Sequence, residues 1–151
     1  MSEFKGDSTA RTPLRPTTMF ISAVFLLVGL LGFVPGITTD FSEMTFAGHH
    51  SSAMLFGVFA VSILHNLVHV LFGIVGFLCA GSASRSVSFL LVGGVIYLVL
   101  WLYGLIIDLG SAANFVPVNT ADNWLHFGLA VGMIGLGAVF GSKVKKSTRA
   151  A

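Results

Sequence analysis

Residues 53–79 read AMLFGVFAVSILHNLVHVLFGIVGFLC, without a single Asp, Glu, Lys or Arg. A helix needs roughly 20 apolar residues to cross the hydrocarbon core of a bilayer. The stretch therefore predicts a membrane-spanning helix over Ala53–Cys79. Three further uncharged stretches flank it, at 16–39, 86–107 and 123–142. They predict helices over Thr17–Val34, Ser88–Leu109 and Asp122–Gly141. Pro35 and Pro117 fall in the connections, where a missing N–H interrupts no helix ladder. In lipid every backbone N–H and C=O must be paired internally, which favours helices over isolated strands. The expectation is an all-α integral membrane protein, a four-helix bundle with four transmembrane helices. It divides into a flexible N-terminal tail (1–16), a transmembrane domain (17–141) and a basic C-terminal tail (142–151).

Composition agrees. Of the 151 residues 55% are hydrophobic and 9% charged, with a mean hydropathy of +0.93. Water-facing surfaces need about 25% charged residues, so lipid is the expected solvent. The lone cysteine, Cys79, excludes an intrachain disulfide. It reads as a buried thiol, with juxtamembrane acylation the alternative. No small-x-small site closes the first apolar run, which predicts an uncleaved first span.

With four spans, both tails and the 80–87 loop share one side. All eight basic residues lie there: Lys5, Arg11, Arg15, Arg85, Lys143, Lys145, Lys146 and Arg149. The opposite connections, 35–52 and 110–121, hold none. By the positive-inside rule both termini are expected in the cytoplasm, and the chain in the plasma membrane as a multi-pass protein. The pI near 9.0 reflects this one-sided charge and gives no reason to invoke nucleic acid.

Chemistry-bearing residues fall into two sets. Within the second span His65 and His69 are spaced i, i+4 and share a helical face with Ser62. Asn66 lies beside them, and counting along 53–79 places the group near the bilayer midplane. Tyr97 on the third span is a candidate partner for either histidine, and Trp101 is expected against the same face or a neighbour. Polar groups at such depth face protein or a water-filled cavity. Three uses are compatible with them: neutral side chains bonding between helices, a haem or transition-metal site on His65 and His69, or a proton or quinone path. Two histidines alone are a weak metal signal, since Zn²⁺ takes three or four protein ligands. His126 is expected roughly a dozen Å from His69 along the membrane normal, by ~1.5 Å rise per residue, too far to share an intrachain haem. The second set is an outer polar layer of Asp108, Asn119, Asp122 and His126, with His49, His50, Asn114 and Asn123. Capping of the fourth helix by Asn119, Thr120 or Asp122 is expected there, with Trp124 as an interfacial anchor. Divalent-cation binding by Asp108, His49, His50 and His126 is the alternative. The sequence holds no phosphate loop, cysteine metal motif or evident nucleophile–base pair, which argues against an enzyme.

Glycines at 128, 132 and 135, at 137 and 141, and at 29, 32 and 36 form stripes suited to close helix approach. Such stripes serve packing within one bundle or a homo-oligomer face. Residues 33–40 (FVPGITTD) and 115–122 (FVPVNTAD) agree at five of eight positions. That match suggests that helices one–two and three–four are parallel repeats about an axis along the membrane normal.

Two motifs carry a family resemblance. Leu64-His65-Asn66-Leu67-Val68-His69 through Phe72-Gly73-Ile74-Val75-Gly76 is one. Asn114-Phe115-Val116-Pro117-Val118-Asn119-Thr120-Ala121-Asp122-Asn123-Trp124-Leu125-His126 is the other. Over about residues 17–141 the chain resembles a bacterial membrane-protein family, common among actinobacteria, catalogued as domain of unknown function 4383. The resemblance implies a small multi-span membrane protein and assigns no activity or site residue. The sequence thus points to a non-enzymatic membrane component, packing with itself or a larger membrane complex in the lipid bilayer. A haem- or metal-binding redox component and a small-molecule transporter are the alternatives.

Overall fold

The computed structural model describes residues 13–149, with side chains through Val144. Lys5 and Arg11 lie outside the described residues, as does most of the expected N-terminal tail. Four helices run α1 (Leu14–Leu31), α2 (Ile63–Cys79), α3 (Ala83–Ile106) and α4 (Thr120–Arg149). Three are long and apolar enough to cross a membrane: Leu14–Leu31, Ala83–Ile106 and Thr120–Val144. Ile63–Cys79 is apolar but shorter.

The distribution of side chains is that of a protein solvated by lipid. Phe20, Leu27, Leu71, Leu78 and Ile106 point outward, while Thr18, Ser22, His65, Asn66, Ser86, Asn123 and His126 are buried. In water this arrangement would expose apolar surface on every helix, and in hydrocarbon it costs nothing there. The apolar core is small by comparison, formed by Phe25, Phe89, Leu90, Tyr97, Ala130, Met133 and Phe140 together with Leu14.

The second helix starts ten residues later than the apolar run predicts, at Ile63 instead of Ala53. Residues 53–61 turn back on themselves as β2 (Met54–Leu55) and β3 (Phe59–Ala60), pairing antiparallel. Phe56 and Gly57 both take positive φ, 55° and 68°, which no helix accommodates. β1 (Thr38–Thr39) completes a three-stranded cap in the order β1-β2-β3. Ala53, Leu55 and Val61 form its buried centre, resting on Val28 and Leu31 of α1. The all-α expectation therefore holds for the membrane-like part, with a small β cap at the end that carries the long connections. Ser62, extended at ψ 172°, caps α2 by accepting from His65 N at 3.1 Å. The other helix bounds shift as well. α1 opens at Leu14, α3 covers 83–106 where 88–109 was expected, and α4 continues to Arg149 through much of the expected tail.

α1 packs along α2 and α3 along α4, each pair antiparallel, with the short 80–82 turn joining the pairs. Arg15 Nε donates to Ala80 O at 2.9 Å and ties the first helix to that turn. Glycines set the approach within each pair. Gly73 faces the backbone of Ser22 and Leu26, and Gly94 faces that of Ala130 and Ile134. Gly32 lies under the Asn66 side chain, and Gly104 under that of Asn123, whose Nδ2 donates to Gly104 O at 3.0 Å.

These contacts correspond across the two pairs. Asn66 and Asn123 are each the fourth residue of their helix, and His69 and His126 each the seventh. Ser22 against Gly73 in the first pair matches Gly94 against Ala130 in the second. Phe25 beside His69 (ring centroids 6.0 Å) matches Tyr97 beside His126 (5.2 Å). Phe25 and Tyr97 themselves stack across the junction, 5.4 Å apart and 5° from coplanar. The chain is thus two similar hairpins in parallel, although residues 33–40 and 115–122 do not carry the likeness. Pro35 follows α1 closely and Thr38 enters β1, whereas Pro117 precedes α4 and Thr120 opens it.

Candidate functional site

The late start of α2 relocates the histidines. His65 and His69 are the third and seventh residues of that helix, so they sit near its loop end and not at its middle. His126 is the seventh residue of α4, which starts from the same end. The expected separation of a dozen Å along the normal disappears, because the ten residues assumed to extend α2 belong to the β cap. His65 and His126 have ring centroids 6.5 Å apart, and His65 and His69 4.8 Å. All three are buried, at 5%, 4% and 9% exposure for His65, His126 and His69.

Backbone carbonyls fix two of the rings. His65 Nδ1 lies 2.9 Å from Pro117 O, and His69 Nδ1 lies 3.1 Å from His65 O. A carbonyl can only accept, so both nitrogens carry hydrogen and donate. In neutral His69 Nε2 is then an acceptor with no hydrogen-bond partner among the described residues, whereas His65 also hydrogen-bonds to the backbone of Ala60. His126 Nδ1 is buried with no partner among them. Tyr97 reaches neither His65 nor His69, contrary to expectation; it is held between Phe25 and Phe72 and turns its ring toward His126.

A cavity of about 230 Å³ opens beside these groups. His65, His69, His126 and Tyr97 form its polar side. Val68, Leu100, Tyr103, Ala113, Phe115, Val116 and Val118 form the rest. Tyr103 donates its hydroxyl to Ala113 O, pinning the 107–119 connection over α3. A second, smaller cavity of about 60 Å³ lies on the other side of the histidines, beneath the β cap.

Asp122 is a support of this site. Its Oδ2 accepts from Asn119 N and from Ala60 N, each at 2.9 Å. Asn119 Oδ1 accepts in return from Asp122 N at 3.0 Å, a reciprocal box that closes the first turn of α4. Asn119 Nδ2 also donates to Val58 O at 2.8 Å. One carboxylate and one amide thereby fasten the cap of the first hairpin to the helix of the second.

The remaining candidates separate. Ser62 is spent on capping, and Asn66 packs on Gly32 with Nδ2 toward Met44 Sδ at 3.9 Å. Asp108 holds the Gly110 N–H in a turn at 2.9 Å. His49 and His50 lie against each other with rings tilted by 40°, 3.9 Å between centroids. Among the described residues no group of three or more His, Cys, Asp or Glu is placed to hold a metal ion, so the outer divalent-cation set does not assemble. Of its two expected places Trp101 takes the second, packing on Phe127 of the neighbouring α4 at 4.6 Å. Sequence reasoning also missed the walls of the cavity. Phe115, Val116 and Val118 contribute from a connection of irregular backbone, and the Pro117 carbonyl there holds the His65 ring, features with no periodic signature.

A family model described as domain of unknown function (DUF4383) matches residues 15–139. The chain belongs to this family. The match reaches from the first turn of α1 nearly to the end of the membrane-like part of α4, so the DUF4383 region contains the β cap, all three buried histidines and both cavities. No curated protein and no solved structure matches the chain.

Proposed function

We propose that this DUF4383 protein is a non-enzymatic, four-span protein of the plasma membrane, both termini cytoplasmic, that binds a small ligand at the histidine cavity. The observation that carries the binding reading is the buried His126 Nδ1, left without a partner beside an apolar-walled space. Buried polar groups are normally satisfied, and an unsatisfied one at a pocket favours an occupant. Ligand binding raises stability by mass action. Lipid-soluble extract from the native membrane is therefore expected to raise the melting temperature of purified protein by several degrees. Val68→Trp, which fills the cavity mouth from an exposed position, should abolish the shift. An equal shift in both proteins would sink the reading.

Four spans are supported by the parallel course of α1 and α3, which brings the start of α1 and the end of α4 to the side of the 80–82 turn. α2, at 17 residues, reaches the lower limit of a spanning helix, roughly 17–25 residues. The positive charges at that end support the cytoplasmic assignment. In a Cys79→Ser background, Ser52→Cys should react with a membrane-impermeant maleimide in intact cells, and Ser8→Cys only after lysis. The reverse pattern would invert the topology.

A second reading, self-association, rests on one glycine stripe. Gly128, Gly132 and Gly135 have open space where a Cβ would be, whereas Gly137 lies against Leu91 inside the bundle. An open small-residue stripe suits the same stripe of a second copy. Gly132→Leu is then expected to remove the dimer band seen on crosslinking in membranes, and a band of unchanged intensity would count against it.

A further inference from the structure

The histidine cavity has a chemical preference that its geometry makes legible, and the argument rests on the binding reading above. One acceptor, His69 Nε2, is available to it because His69 Nδ1 is committed to the His65 carbonyl. Beside it stand the Tyr97 hydroxyl, without a hydrogen-bond partner among the described residues, and the buried His126, whose Nδ1 is unpartnered. The polar side of the cavity therefore calls for a neutral group that both donates and accepts. A hydroxyl does both with one oxygen.

The walls select the body that bears it. Aromatic rings surround the space, and edge or offset contacts favour a flat aromatic guest over a branched aliphatic one. A cavity of roughly 150 Å³ suffices for benzene, so 230 Å³ has room for a substituted ring. Drug-sized ligands occupy roughly 300–1,000 Å³, which leaves no space for a haem.

The mouth indicates where the ligand comes from. Three rim residues are half-exposed on the outer surface of the helices: Val68 of α2, and Leu100 and Tyr103 of α3. The opening faces sideways between α2 and α3, the surface that lipid covers, with Phe115 of the connection above it. An aliphatic tail on the ring could remain among lipid chains.

We propose that the cavity binds the phenolic headgroup of a membrane-dissolved amphiphile, with the ring hydroxyl donating to His69 Nε2 and its oxygen accepting from Tyr97 or His126.

The test uses full-length protein in detergent and three probes: 4-decylphenol, its methyl ether 4-decylanisole, and p-cresol. Saturable one-to-one binding of 4-decylphenol is expected by calorimetry, at least five-fold tighter than the ether and tighter than p-cresol. His69→Asn keeps a donor near the Nδ1 position for the backbone carbonyl and removes Nε2. It should weaken 4-decylphenol at least five-fold, while the melting temperature of the unliganded protein confirms an intact fold. Equal binding of phenol and ether would overturn the hydroxyl assignment, and equal binding of p-cresol would overturn entry from the bilayer. If none of the probes binds while membrane extract still stabilises the protein, the ligand class is wrong and the binding site stands. If the extract also fails, both readings fall.

Discussion

Gly73→Val is expected to lower the stability of the folded protein by roughly 3 kcal/mol or more, the upper range for an overpacked site. A Cβ at position 73 would lie 2.7 Å from Leu26 N and 2.8 Å from Ser22 O. Both are backbone atoms of α1, so no side-chain rotamer can relieve the overlap. The helix itself must retreat, and with it the dispersion contacts along the whole α1–α2 seam. Phe25, one turn from Ser22, carries the stack on Tyr97, so the displacement should reach the junction between the hairpins. Gly132→Val provides the comparison, since nothing lies within 4 Å of a Cβ there. Equilibrium unfolding in mixed micelles dilute enough to hold the protein monomeric, followed by circular dichroism, would show a large shift for the first variant and almost none for the second. Matching midpoints would mean that the seam is not close-packed at Gly73.

The second large effect is expected from Asp122→Ala, about 2–4 kcal/mol. The carboxylate accepts from Ala60 N and Asn119 N, and hydrogen bonds to charged groups contribute roughly 1.5–3 kcal/mol each, with part of that loss recoverable by water. Its removal opens the capping box of α4 and releases the last strand of the cap. Asp122→Asn retains an oxygen acceptor and should cost less than half as much. Amide exchange distinguishes this local explanation from a general loss of stability. Ala60 and Asn119 should lose protection ahead of amides in the middle of α3, and uniform loss would disprove the clamp.

The sequence is informative where lipid imposes its rule and silent where the chain obeys others. Apolar runs without charge locate the helices, since hydrocarbon demands internally bonded backbone over a fixed thickness. The same rule misleads at 53–62, where the residues are as apolar as a span but Phe56-Gly57 turns and Ser62 caps. Ser62, three residues before His65, is a helix-start signal in the sequence itself, set within a run whose apolarity points the other way. The depth of His65 and His69 then followed from the wrong origin, and His126 was excluded from their company for that reason alone. The i, i+4 pairing of the histidines was legible because it depends only on helical periodicity. The carbonyls of Pro117 and His65 that orient the rings were not, since their placement depends on the tertiary path of an irregular connection. The likeness between hairpins was sensed through the wrong octapeptides. It resides in Asn66 and Asn123 over glycines, a pattern of helix position too sparse to align by eye.

The correspondence between hairpins is not identity, and the differences fall at the cavity. Where the first half has His65 the second has Asp122, and where the first has Phe25 the second has Tyr97. Two copies of the first half facing each other would supply imidazoles without a phenol hydroxyl or a carboxylate clamp. Two copies of the second would bring a pair of carboxylates to one end, with no His65. Neither homodimer assembles this set of groups. Joining unlike halves in one polypeptide lets a binding residue and a structural residue occupy matching positions, a division of labour that a symmetric pair cannot achieve.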